Sequence, residues 1–150
     1  MDFSKEQLNT LTSGLITPGE IYRLKLTEQE GVKPKKEGDD GRNKYFVVLG
    51  STDDNELIGF VLINSEINRK LPQEIQTLHY KITAQDYPFL KKDRYLCCSE
   101  LKQIESSVFF KRCHNKAVAT LSDEHLEIIK RFLAQSPKVS LATMHTFGLL

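Results

Sequence analysis

The sequence predicts a mainly β protein, a small and strongly bent β-barrel that carries helices. The first observation is a pair of segments, "KYFVVLG" (44–50) and "LIGFVLIN" (57–64), in which nearly every residue is apolar. This pattern is typical of strands that are covered on both faces, and "STDDNE" between them has the length of a longer hairpin connection. The second observation is one amphipathic helix that follows the last predicted strand. Several short strands followed by one helix favour a closed, tightly curved sheet.

Length and composition are those of one soluble globular domain. The chain has 150 residues, of which 39% are hydrophobic and 27% are charged, and its formal net charge is +1. Such a chain can bury a genuine core without disulfides or metal. Because the overall charge is nearly neutral, any patch that binds anions must be local. No apolar run approaches the roughly 20 residues that span a bilayer, and the N-terminus lacks the pattern of a secretory signal.

The three cysteines, Cys97, Cys98 and Cys113, predict a reducing compartment. An odd number with an adjacent pair is a poor disulfide framework, so we expect a cytoplasmic protein. The C-x-x-C spacing of zinc sites is missing, and so are the common nucleotide-binding and hydrolase motifs. We therefore expect neither a metal nor a cofactor.

A helix, a strand and a loop are expected before the central pair of strands. Ser4 and Gln7 form a capping box, which predicts a short helix over 1–14. "EIYRLKLT" (20–27) alternates apolar and polar residues and predicts a strand. The polar residues 28–43 predict a long loop, of a length that is often functional or disordered.

Three further strands and a helix are expected after the central pair. The strands are "LHYKIT" (78–83), "RYLCCSE" (94–100) and "LKQIESSVFF" (101–110). Ser122 is the natural N-cap of the helix, whose apolar face consists of Leu126, Ile129 and Leu133. We expect a single domain over 1–150, with its barrel core over about 18–135 and an apolar C-terminal tail over 137–150.

Two stretches of basic and polar residues lie beside predicted strands. Arg42 and Lys44 separate the turn "DDG" (39–41) from the strand that follows. They either hold an anion such as phosphate or are ordinary solvated charges. A second stretch, "NSEINRK" (64–70), follows the next strand and supplies hydroxyl, amide and cationic groups, from Asn64, Ser65, Asn68, Arg69 and Lys70.

A third stretch mixes aromatic and basic residues. "DYPFLKKDR" (86–94) contains Tyr87, Phe89, Lys91 and Lys92. Rings that stack on bases, beside cations that meet phosphates, suit single-stranded nucleic acid. In the alternative interpretation, Phe89 covers an edge of the core and the lysines are solvated.

His79 lies on a predicted strand and faces away from its apolar side. An imidazole at a barrel mouth is a candidate general acid or base, because its pKa is near neutrality. A lone surface histidine without function is the alternative.

Five stretches in order resemble the MazF/PemK-like toxins, SH3-like barrels that act as ribonucleases in bacterial toxin–antitoxin pairs. "PGEIYRL", "RNKYFVVLG" and "GFVLINSEIN" are similar to the first three strands of the family. "YLCCSELKQIE" resembles the strand that leads into its D-Q segment, and "ATLSDEHLEIIKRFL" resembles its closing helix. The resemblance runs from about Pro18 to Leu133, and the evidence for it is the order and spacing of the stretches.

The resemblance implies a metal-independent endoribonuclease that cleaves single-stranded RNA through the ribose 2′-hydroxyl. It also implies a homodimer and a cognate antitoxin as partners. The catalytic candidates on the matching stretches and nearby are Arg42, Lys44, Ser65 and His79. The RNA-binding candidates are Asn64, Asn68, Arg69, Tyr87, Phe89, Lys91 and Lys92.

A second hypothesis is a non-catalytic SH3-like barrel that binds a protein or a nucleic acid. The R-P pair of the family is absent, since Lys44-Tyr45 stands in its place. Asn64 replaces the usual threonine at the end of the third strand. Together with the nearly neutral net charge, these departures favour a binding module.

Overall fold

The computed structural model describes residues 16–150. The strands are β1 (Glu20–Thr27), β2 (Gly41–Ser51), β3 (Leu57–Asn64), β4 (His79–Ile82), β5 (Arg94–Cys97), β6 (Lys102–Glu105) and β7 (Ala119–Thr120). The helices are α1 (Gln73–Gln76), α2 (Ser106–Arg112), α3 (Asp123–Gln135) and α4 (Leu141–Thr146), and a short 3-10 turn spans Glu28–Glu30.

The strands form one strongly curled antiparallel sheet, in the order β4-β5-β3-β2-β1-β7. β3 is the centre of the curl because it pairs with two strands along the same side. Its first half pairs with β6, from Leu57 opposite Glu105 to Phe60 opposite Lys102. Its end pairs with β5, where Ile63 lies opposite Leu96. The mainly β fold predicted from the sequence is confirmed, and the curled sheet is consistent with a small β-barrel with helices.

Both faces of the central strands are buried, as their continuous apolar sequence predicts. On β2, Val47 and Leu49 belong to the main core, which α3 also covers through residues such as Ile129. Phe46 and Val48 point to the other face and join a second core cluster. Alternate side chains of a strand point to opposite faces, so one apolar strand serves two cores.

β2 begins earlier than the sequence predicts. The strand pairs with β1 from Gly41 onward, with Arg42 opposite Leu26 and Lys44 opposite Leu24. The long polar loop is therefore shorter than expected, and both cations stand on rigid sheet. Pairing with a complete neighbouring strand overrides the low strand propensity of this polar segment.

The segment 101–110 is only half strand. β6 ends at Glu105, and the chain continues as helix α2, in which Phe109 packs edge-on against Tyr22 with the ring centroids 5.0 Å apart. A short apolar run does not distinguish strand from helix by its periodicity. Here the burial of Phe109 in the second core cluster stabilises the helix.

The closing helix and the tail both pack on the sheet. Ser122 caps α3 as predicted, with its Oγ accepting from the His125 amide at 3.2 Å. The tail forms α4 and inserts Met144, Phe147 and Leu149 into the main core. The predicted helix over 1–14 lies outside the described residues. Within residues 16–150, no helix has the length and apolar character to cross a membrane.

Candidate functional site

A cavity of about 660 Å³ opens beside the ends of β2 and β3. We call it the cationic cavity, because seven basic and two acidic side chains of the described residues line it. The basic residues are Lys33, Arg42, Lys44, Arg69, Lys70, Lys102 and Lys138, and the acidic residues are Glu66 and Glu100. The chain as a whole carries a net charge of only +1, so this cavity is a local region of positive charge.

Arg42 and Lys44 project from the same face of β2, since they are two residues apart on one strand. Lys44 is partly buried, and its Nζ donates to Oδ1 of Asn64 at the end of β3 at 2.7 Å. Burial, together with the positive charges of Arg42 and Arg94, lowers the pKa of Lys44 to about 8. Within residues 16–150, no carboxylate forms a salt bridge with Arg42 or Lys44, which leaves both available to an anion.

Glu100 neutralises two of the cations that line the cavity. Its carboxylate lies 2.9 Å from Nζ of Lys138 and 3.2 Å from Nζ of Lys102. Burial alone would raise the pKa of Glu100, but the hydrogen bond from Lys138 and the charge of Lys102 lower it below its ordinary value. The excess positive charge of the cavity therefore comes from the other five basic residues that line it.

Polar groups follow the end of β3. Asn64, Ser65 and Asn68 line the cavity, and Oδ1 of Asn68 accepts from the amide of Lys70 at 3.0 Å. Gln76 of α1 holds this segment, because its Nε2 donates to the carbonyls of residues 69 and 71 at 3.2 and 2.8 Å. The segment is thus shaped by fixed hydrogen bonds at the cavity rim.

His79 and Cys97 form a pair on the wall of the cavity. They lie directly opposite each other on β4 and β5, so their side chains are neighbours on the same face of the sheet. Nδ1 of His79 lies 3.1 Å from the carbonyl oxygen of Ile75 and 3.2 Å from that of Gln76. Because carbonyls only accept, Nδ1 carries the proton, which leaves Nε2 as the nitrogen that can accept one.

His79 and Cys97 each stabilise the charged form of the other, the imidazolium and the thiolate. The interaction with Cys97 raises the pKa of His79, against the opposing effect of burial. Burial raises the pKa of Cys97, but its interactions with His79 and with the neighbouring Ser99 lower the pKa overall. The Ser99 hydroxyl oxygen lies 3.8 Å from Sγ of Cys97. The cavity therefore contains basic side chains together with a histidine and a cysteine that both titrate. The contacts of Nδ1 assign the tautomer of the histidine.

The structure gathers seven of the candidate residues in this one cavity. They are Arg42, Lys44, Asn64, Ser65, Asn68, Arg69 and His79. They come from β2, from the end of β3 and the segment after it, and from β4. His79 is partly buried and hydrogen-bonded, whereas the sequence predicts a side chain that faces solvent.

The aromatic–basic stretch lies outside the cavity. Tyr87 is buried in the main core, and its hydroxyl lies 2.6 Å from Nδ1 of His125. The ring of Phe89 packs on Tyr45 with centroids 5.2 Å apart. Lys91 and Lys92 are exposed. The roles of these four residues in RNA binding stay predictions. The ring of Tyr87 already packs within the protein.

Sequence reasoning missed several residues of the cavity. Cys97 becomes a partner of His79 only through the register of β4 and β5, for which the sequence contains no turn signal. Lys102 and Lys138 are separated from β2 along the chain and carry no motif. No family model matches the chain, and no curated protein is significantly similar to it.

Proposed function

We propose that this protein is a metal-independent endoribonuclease that cleaves single-stranded RNA in the cationic cavity. The observation that carries the proposal is the convergence of Arg42, Lys44, Ser65 and His79 in a cavity with a large excess of positive charge. Cleavage through the 2′-hydroxyl needs cations for the additional charge on phosphorus and a group that carries a proton. Side chains of both kinds line this cavity.

In this mechanism, Arg42 and Lys44 bind the scissile phosphate and Ser65 orients it. The 2′-oxygen bonds to phosphorus as the bond to the 5′-oxygen breaks, which produces a 2′,3′-cyclic phosphate and a 5′-hydroxyl. His79 carries the proton: in its neutral form, with Cys97 as the thiol, Nε2 accepts the proton from the 2′-hydroxyl and returns it to the leaving 5′-oxygen. The carbonyls on Nδ1 keep the imidazole oriented for both transfers.

The biological setting that we propose is a toxin–antitoxin pair, with an antitoxin protein and a second copy of the chain as partners. This part of the proposal is supported by the resemblance of the five stretches to MazF/PemK-like toxins.

The first experiment is incubation of the purified protein with a mixed single-stranded RNA in EDTA, followed by mapping of the ends. We expect discrete cuts that bear 2′,3′-cyclic phosphates. The double variant Arg42→Ala with Lys44→Ala should reduce the cleavage rate by at least about a hundredfold, since preorganised charge stabilisation is typically of that size.

The matched control is Lys35→Ala with Lys36→Ala, which removes the same charge from exposed positions outside the cavity. It should cleave like the unmodified chain, and circular dichroism should show that both double variants are folded. Intact RNA from a folded sample over a range of salt would overturn the proposal. Steeply salt-dependent RNA binding without cleavage would support the non-catalytic binding module.

A further inference from the structure

We propose that Cys97 is a reactive thiol at which small anionic disulfides modify the protein, forming a mixed disulfide inside the cationic cavity. The proposal does not rest on RNA cleavage. It rests on the pairing of Cys97 with His79, on the access to Cys97 from the cavity, and on the charges that surround it.

The first step is the geometry of the thiol. Cys97 is partly exposed, whereas its neighbour Cys98 is fully buried on the opposite face of the sheet. His79 lies directly opposite Cys97 on the neighbouring strand, which places a proton acceptor beside the thiol, and the two carbonyls on Nδ1 stabilise the imidazolium that forms. A thiol beside a histidine of this kind is converted to the nucleophilic thiolate at lower pH than a free thiol.

The second step is selectivity among the three cysteines. Burial raises the pKa of Cys98, whose Sγ faces the carbonyl of Leu96 at 3.5 Å. Burial also raises the pKa of Cys113, which donates to the carbonyl of Asn115 at 3.1 Å and lies outside the cavity. Of the three thiols, Cys97 is the one with both a basic partner and an opening.

The third step is the class of ligand. The cavity has the volume of a small-molecule site, and Arg42, Lys44 and Arg69 line it together with Cys97. A disulfide with carboxylate groups is attracted by these charges, whereas a cationic disulfide is repelled. The cavity therefore favours an anionic partner for the thiol.

The reaction is thiol–disulfide exchange. The Cys97 thiolate attacks one sulfur of the disulfide, the new Sγ–S bond forms as the old S–S bond breaks, and the second half leaves as a thiolate. The proton of Cys97 is held by His79. No oxidant besides the disulfide is needed, and an added thiol reverses the step. The product places a negatively charged group among the cations of the cavity.

The experiment measures the rate of reaction with 5,5′-dithiobis(2-nitrobenzoate), an anionic disulfide, between pH 5 and 9. We expect one fast phase that corresponds to one thiol per chain. Its pH midpoint should lie below the value of about 8.5 for a free thiol. The phase should disappear in Cys97→Ser and persist in Cys113→Ser, and His79→Gln should move the midpoint upward.

A second measurement tests the charge of the ligand. Rates with the anionic disulfide and with cystamine, a cationic one, are each divided by the rate of a neutral free thiol with the same reagent. At low salt the anionic disulfide should be favoured by about tenfold or more. The preference should shrink as salt screens the cavity.

Partial labelling of the unmodified chain, followed by peptide fragmentation, locates the modified sulfur without any variant. Label on Cys97 supports the proposal even if Cys97→Ser does not fold. Label mainly on Cys98 or Cys113, or reaction no faster than that of a free thiol at pH 6, would overturn it. RNA cleavage is measured separately, so failure of one proposal leaves the other standing.

Discussion

Lys44 is held where its positive charge is unfavourable. It is partly buried, its Nζ bonds to Asn64 at 2.7 Å, and Arg42 lies two residues away on the same strand. These surroundings lower its pKa from the ordinary 10.5 to about 8. A bound phosphate would supply the negative charge that the site lacks, which is a reason for an anion to bind here.

The lowered pKa predicts how RNA binding depends on pH. In the folded protein the cation of Lys44 is present below about pH 8 and is lost as the pH rises through that value. We expect the affinity for an RNA with 2′-O-methyl groups, which blocks cleavage, to fall about tenfold above pH 8, since a hydrogen bond to a charged group is of that strength. Fluorescence anisotropy over pH 6.5–9.5 measures it.

Lys44→Arg is the control for this pH dependence, because arginine stays protonated throughout the range. Its affinity should be nearly constant between pH 7 and 9.5. An equal loss of affinity in the unmodified chain and in Lys44→Arg would show that another group causes the pH dependence.

At the scale of single elements, two glycines leave the space in which the C-terminal tail packs on the sheet. Gly50 of β2 lies opposite Gly59 of β3, next to a register shift between Val48 and Gly50. A Cβ on Gly59 would lie 2.9 Å from Cδ1 and 3.1 Å from Cγ of Phe147, and a Cβ on Gly50 would meet the Phe147 carbonyl oxygen. A glycine within a strand allows a sharp bend, and the small size of Gly59 also makes room for Phe147.

This close approach predicts a coupling between Gly59 and Phe147. Gly59→Ala alone should destabilise the protein by about 1–3 kcal/mol, because it overpacks the core. Phe147→Ala alone should cost about 3–5 kcal/mol, because it removes buried apolar surface and leaves a cavity. In the Phe147→Ala background, Gly59→Ala should cost little, since the clash has been removed.

Urea unfolding of the four proteins measures this double-mutant cycle. Additive effects would show that Gly59 is needed for the backbone conformation of β3 and not for the space that Phe147 occupies.

At the scale of the whole molecule, the tail connects the core with the site. Ser136 donates to the carbonyl of Ser99 at 2.6 Å, and Lys138 then reaches Glu100 at the cavity wall. Residues that follow insert into the main core. The same segment therefore covers the sheet and supplies one of the cations of the site.

The positive charge of the cationic cavity predicts the salt dependence of RNA binding. Arg69 and Lys70 line the cavity, while Lys91 and Lys92 lie outside it. Replacing the first pair by glutamine should reduce the slope of log affinity against log salt by about 0.7 for each phosphate that the variant no longer neutralises.

Replacing Lys91 and Lys92 by glutamine changes the net charge equally and is the matched comparison. If the slope for this second variant is unchanged, the RNA contacts the cationic cavity and not these two lysines. A similar reduction would show that the RNA also passes over the aromatic–basic stretch, as the sequence predicts.

Much of the fold was predictable because the signals are local. Continuous apolar segments indicated β2 and β3, alternation indicated β1, and Ser122 with the apolar face that follows indicated α3. Periodicity and capping depend on residues a few positions apart. For the same reason, the stretches that contain Arg42, Lys44 and Ser65 could be chosen as candidates from the sequence.

Only the tertiary structure decided how distant segments meet. The register of β4 and β5 places Cys97 opposite His79, pairing with β1 extends β2 through Arg42, and burial of Phe109 turns half of a predicted strand into α2. By itself, the sequence determined the main strands and which residues carry chemical groups suited to a site. Strand pairing and the filling of two cores determined which of those residues share a cavity, because both depend on interactions between residues far apart in the chain.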